Sequence, residues 1–269
     1  MLVMSLLILV SVGSVLWIGI WLAQKNTFSL LSENAGQAVN LTVSSVEQYL
    51  GSVEHKARFI AGRIGNGAID TADHKVMEDV FTGMLAGAAQ IDRLMFIDTD
   101  LQAFYVRYRR RFEEVRNGIG DYAGDPLIRE KMDNLQPGAN WGEPRGKQSM
   151  RKTQLELKYP VYSGDELQGA IVALLPVRHM SMFVSGEQHK SMGSLFVLSG
   201  RDKVMGHPLM RKRRSGMGDE SPLPNLKRFE DPVLASFWET EGRQELRRLD
   251  LPENIEGHLQ NVDGRRYVF

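Results

Sequence analysis

The chain has 269 residues, no cysteine and a formal net charge of zero. The length suits one or two domains. The missing cysteines exclude disulfides, thiolate nucleophiles and Cys-ligated metal or iron–sulfur sites. The balanced charge gives no long-range steering toward nucleic acid, and an apolar content of 42% is that of a folded chain.

Leu2 to Ala23, "LVMSLLILVSVGSVLWIGIWLA", contains no charged residue. As a helix it would extend roughly 30 Å, the thickness of a bilayer's hydrocarbon core. Trp17 and Trp21 fall near its end, where indoles prefer the membrane interface. A cleaved signal peptide fits less well, because no basic segment precedes the apolar run and no clean small-x-small site follows it. The segment therefore predicts a transmembrane anchor. Lys25 alone follows closely, too little charge to orient the span.

From Phe28 through Leu31, Ala35, Val39, Thr42, Val46, Tyr49, Val53, Ala57 and Ile60 to Ile64, one apolar stripe advances in ten steps over 36 residues. That period is 3.6, and it predicts a long helix over 24–66 stopped by Gly65 and Gly67. The stripe suits a stalk, packing against a sheet, or a rod that passes motion to the membrane. A second helix is expected over Asp73 to Ala89, capped by Thr71 or Asp73.

Residues 93–111, "RLMFIDTDLQAFYVRYRRR", read as strand, turn and strand, with Asp98-Thr99-Asp100 as the turn. Residues 154–177 repeat the scheme around Ser163-Gly164-Asp165. Leu155, Leu157 and Tyr159 alternate there, and Gly169 to Val177 has the continuous apolar character of a central strand. The polar stretch from Asn117 to Met150 between them is too long for a plain linker and suits a binding loop. Antiparallel hairpins behind a long helix predict an α+β fold. Neither GxGxxG nor GxxxxGK[ST] occurs.

A shorter unit follows. Arg178 to Lys190 reads as a connecting helix and "SLFVLSGRDKVMGHP", 194–208, as strand, turn and strand. A helix begins near Pro232 behind an Asp231 N-cap, and strands follow at Glu245 to Leu249, His258 to Val262 and Arg265 to Phe269. Asp263-Gly264 is the turn before the last strand.

The candidate chemistry is sparse. In "YVRYRRR", 105–111, a strand would put Tyr105, Arg107 and Arg109 on one face and Val106 and Tyr108 on the other. The first three form a possible anion-binding wall, although a solvated strand end has the same pattern. The histidines at 55, 74, 179, 189, 207 and 258 show no metal-ligand spacing, so no metal or cofactor is expected. His207-Pro208, Asp98, Asp100 and Asp202 read as turn residues, and "RKRR" at 211–214 as a solvated loop. Absence of G-x-S-x-G leaves a hydrolase unsupported.

An anchor, a long helix and two strand-rich modules resemble the double Cache, PAS-like sensor region of bacterial receptors. "LFVLSGRDKVMGHPLM", "LPNLKRFEDPVLASFW" and "HLQNVDGRRYVF" resemble stretches of the input region of alphaproteobacterial class III adenylate/guanylate cyclases. The resemblance implies a transmembrane helix at 2–23, a signalling helix at 24–66, a membrane-distal Cache module at 67–178 and a membrane-proximal module at 179–269, the last incomplete. It implies a periplasmic sensor anchored in the bacterial inner membrane and paired as a homodimer. It also implies a small-molecule ligand, an anion being one class, held between sheet and loop by Tyr105, Arg107, Arg109, Trp141, Tyr159 and Tyr162. The amino-acid-binding pattern of some such domains is not evident. A second membrane helix, a HAMP linker and a cyclase domain would follow in such a receptor; none is in this sequence, so the chain itself is expected to be no enzyme. Alternatives are a stand-alone tethered binding protein, or the input region of a histidine kinase, diguanylate cyclase or chemoreceptor.

Overall fold

The computed structural model describes residues 2–109, 112–146, 153–186, 194–211, 222–245 and 258–269. Arg110, Arg111, His189, most of "RKRR", and the ends of the connecting helix and of the 245–249 strand lie outside them. Two compact units divide the chain: Ser45–Arg228, and Met1–Ser44 with Phe229–Phe269.

In the larger unit the C-terminal part of helix α1 (Leu2–Gly65) and helix α2 (His74–Ala86) form one layer. The expected stripe is the buried face: Val53, Ala57, Ile60 and Ile64 are all buried. Gly65 ends α1 where the carbonyl of Tyr162 comes so close that a Cβ would collide with it. Asp73 caps α2, its Oδ1 accepting from the amides of Lys75 and Val76 at 3.0 and 3.1 Å.

Six antiparallel strands form the second layer: β1 (Arg93–Asp98), β2 (Gln102–Arg109), β3 (Glu114–Asp121), β4 (Asn140–Trp141), β5 (Gln154–Ser163) and β6 (Glu166–Pro176), in the order β3-β2-β1-β6-β5-β4. Strand β6 is central, as its apolar run predicts. The polar stretch beginning at Asn117 is not a single loop: it holds most of β3, a helix α3 (Pro126–Asp133) and β4. Strand β3 is poorly signalled because Gly118 and Gly120 lower its strand propensity. Those glycines have a packing reason, since a Cβ on Gly118 would meet the Tyr105 hydroxyl at 2.6 Å and one on Gly120 the Tyr122 ring at 3.0 Å. Helix α3 does have a sequence signal: Asp125 caps it and Pro126 occupies its first turn.

Alternation along the strands gives the sheet two cores. Leu94, Phe96, Phe104, Val106, Leu157, Ile171 and Ala173 face α1 and α2. Met95, Ile97, Ala103, Ala170 and Val172 face the other way, toward Met132 and Ile128 of α3. The unit continues through α4 (Val177–Val184), where the module boundary is expected, into the hairpin β7 (Val197–Ser199) and β8 (Lys203–Gly206).

The smaller unit contains α5 (Pro232–Ala235), capped by Asp231 as expected, and a three-stranded sheet of β9 (Gln244–Glu245), β10 (His258–Val262) and β11 (Arg265–Val268). Asp263 and Gly264 have φ of 50° and 78°, the double positive φ of a tight hairpin. The final strand pairs with β10, and the His258 ring stacks on Phe269 at 5.1 Å.

Residues 2–23 are helical and belong to α1. Among the described residues no helix is long and apolar enough to cross a membrane. The side chains of residues 2–10 lie outside the description, and the span expected at 2–23 is not shown.

Candidate functional site

Cross-strand register brings chemistry to the sheet face under α3. One row runs Tyr105 (β2), Met95 (β1), Val172 (β6) and Lys158 (β5). The next runs Arg107, Arg93, Leu174 and Glu156 on the same strands. Arg93 and Glu156 stand two strands apart, about 10 Å at ordinary strand spacing.

Charge on this face is unbalanced. Lys131 of α3 reaches Glu156 at 2.8 Å, and Lys158 reaches the same carboxylate oxygen at 3.3 Å. Two ammonium groups thus share one carboxylate. The Lys158 side chain is only 8% exposed. Burial pulls its ammonium below the ordinary value, and Glu156 offsets part of that. For Glu156, burial opposes ionisation, but the Lys131 hydrogen bond and the Lys158 charge outweigh it and hold the carboxyl below its usual value. The guanidinium of Arg93 lies 4.9 Å from the centre of the Tyr105 ring, and its buried Nε has no hydrogen-bond partner among the described residues. Buried cations in excess over their partners are costly, so such a cluster is suited to receiving an anion.

The six residues expected to meet at one pocket are distributed over the sheet. Tyr105 stands on the α3 face, its ring lying over Gly118. Arg107 begins on that face but turns aside to Asp92, with Nε–Oδ2 at 2.9 Å and Nη2–Oδ1 at 3.2 Å. Arg109 pairs with Glu114 at 3.2 Å. Arg107 and Arg109 line a separate cleft at the end of β2. Trp141 and Tyr159 are on the helical face, away from Tyr105. Trp141 is opposite Leu157 in register, and its indole donates to Glu54 of α1 at 2.6 Å. Tyr162 is exposed at the end of β5, beside a register shift.

Sequence reasoning missed Arg93, Lys131, Glu156 and Lys158. Two of them had a signal: if Leu155, Leu157 and Tyr159 face the core, then Glu156 and Lys158 share the opposite face. Lys131 lacked one, because its position depends on how α3 docks. His207 Nδ1 accepts from the Leu209 amide at 3.2 Å, within a turn. No group of His, Asp and Glu among the described residues could hold a metal ion.

No protein-family profile and no curated protein matches the chain. Solved structures do. The sensory domain of the Campylobacter jejuni chemoreceptor Tlp3 is similar at 10% identity and a TM-score of 0.58, covering 89% of this chain and 92% of that one. The likeness is one of fold. The ligand-binding domain of the same receptor in complex with L-valine gives 11% identity and a TM-score of 0.57, over 89% and 91% of the two chains. A further solved structure, methyl-accepting chemotaxis protein X, gives 11% identity and a TM-score of 0.54, over 90% and 97%. The Tlp3 neighbours are a sensory domain and a ligand-binding domain.

Proposed function

We propose that the chain is the ligand-sensing input region of a bacterial signalling receptor. Its ligand is a small organic molecule bearing a carboxylate, held on the α3 face of the sheet. The observation behind this reading is the excess of buried positive charge there. Lys131 and Lys158 share one carboxylate, Glu156, and Arg93 stands on the same face two strands away. The carboxylate of the ligand meets Lys158 and Arg93, Tyr105 supplies a ring edge and hydroxyl, and Met95, Val172 and Leu174 take its apolar part. Similar domains of Tlp3 are described in complex with L-valine and with isoleucine, which supports an amino acid or related acid as the first class to try.

The remaining parts of the reading follow the same line. The side chains of residues 11–23 are exposed on all sides of α1, including Trp17 and Trp21, and this supports lipid as their surroundings. In that arrangement the sheet units lie in the periplasm of an inner-membrane receptor that pairs as a homodimer. The likeness of residues 194–269 to cyclase input regions supports a nucleotide cyclase as output. Thermal-shift screening of the full chain in lipid nanodiscs against amino acids and small carboxylates tests the ligand reading. A saturable rise in melting temperature with a carboxylate, lost with the matching amide, is expected. No shift with any acid, or equal shifts with acids and amides, would refute it.

A further inference from the structure

A second site lies outside that face. At the end of β2 the larger unit has an open cleft of about 650 Å³, large enough for an organic molecule. Its walls come from α1, the loop before β1, the end of β2 and α4. Among the described residues, Arg107, Arg109 and Arg178 line it and Asp92 is the one acidic side chain that does. Asp92 is engaged by Arg107, and Arg109 is met by Glu114 from outside the lining. Arg178 is exposed and has no ion-pair partner among the described residues. The lining is also aromatic: the rings of Tyr49 and Phe183 are 4.7 Å apart, and the Arg109 guanidinium lies 5.4 Å from the Phe112 ring. Burial pushes the Tyr49 phenol above its usual range, so it remains a neutral part of that wall.

A lining that is both cationic and aromatic selects a particular chemistry. We infer that this cleft is a second binding site, for an amphipathic organic anion: an aromatic or branched apolar body with a carboxylate or similar group. The anion meets Arg178, with Arg109 beside it, and the body packs between Tyr49, Phe112 and Phe183. Such an occupant touches α1 and α4 together. It therefore favours whichever arrangement of the two helices closes the cleft, in proportion to its differential affinity for it. A neutral molecule of the same shape gains only the aromatic contacts.

The test uses the full chain in lipid nanodiscs, with 4-(trifluoromethyl)benzoate as probe and 4-(trifluoromethyl)benzamide as its neutral match. Fluorine NMR line broadening above that of empty nanodiscs reports binding. The benzoate is expected to broaden saturably and the benzamide not. Arg178→Glu, at an exposed position where folding is not at stake, is expected to weaken the benzoate by about tenfold or more. Arg63→Glu, exposed on α1 and outside both sites, is expected to leave it unchanged, which separates loss of this site from a general loss of positive charge. No broadening, equal broadening by the benzamide, an unchanged affinity in Arg178→Glu, or an equal loss in Arg63→Glu would each overturn the inference.

Discussion

The two faces of the six-stranded sheet are made by the same strands, yet they are built on opposite rules. Toward α1 and α2, the buried strand positions are apolar, and Phe81, Ile60, Met77 and Leu157 are fully buried. Toward α3, Met95 and Val172 share a row with Lys158, and Leu174 shares the next with Arg93 and Glu156. Burying apolar area contributes stability, whereas burying ammonium groups costs it unless something else is gained. The first face holds the fold together. The second gives up some of that stability.

The largest effect expected from this contrast is on the helical face. Phe81→Ala should destabilise by about 3–5 kcal/mol through the cavity it leaves, read from denaturant unfolding, with no loss of ligand affinity in the fraction that stays folded. A loss of affinity without a loss of stability would erase the distinction between the faces. Next comes Gly65→Ala. A methyl there meets the Tyr162 carbonyl, so helix end and strand must separate, at a cost of about 1–3 kcal/mol. An unchanged midpoint would mean that the approach is not needed.

Acid should give a smaller effect, confined to the α3 face. Glu156 has a folded pKa below its ordinary value of 4.5, so its contribution is present above that value and lost as pH falls through the depressed one. Lys131 is then released and α3 loosens from β5. Hydrogen exchange of the α3 amides, compared between neutral pH and pH below 4.5 after correction for intrinsic rates, should show lost protection before the α1 amides lose theirs. In Glu156→Gln that difference should vanish. Simultaneous loss in both helices would show that the faces do not differ in this way.

The helical face was legible in the sequence, and the α3 face much less so. A period of 3.6 from Phe28 to Ile64 picked out Val53, Ala57, Ile60 and Ile64, because a helix against a sheet needs one continuous apolar stripe. The hairpins β1–β2 and β5–β6 were legible through their turns, and the last strand through Asp263-Gly264. Strand β3 was hidden by Gly118 and Gly120, which are there for Tyr105 and Tyr122 rather than for strand propensity. Tyr105, Arg107 and Arg109 do start from one face of β2, but parity says nothing of where a long side chain ends. Asp92 draws Arg107 to the strand end, and that partner comes from another strand's approach. Trp141 and Tyr159 were placed with them for their aromatic character, while register with Leu157 sets them against α1. The pairing of Lys131 with Glu156 joins residues 25 positions apart through the docking of α3, which no local pattern encodes.

The most direct test of the two-face account is one variant measured two ways. Lys158→Met replaces a buried cation by an apolar side chain of similar length, and its melting temperature and carboxylate titration are read on the same full-chain sample. The account predicts a melting temperature equal to or above that of the parent, since removing the excess buried charge costs little or stabilises, together with carboxylate affinity reduced about tenfold or more. A lowered melting temperature with unchanged affinity would make Lys158 a structural residue and remove the α3 face as the ligand site.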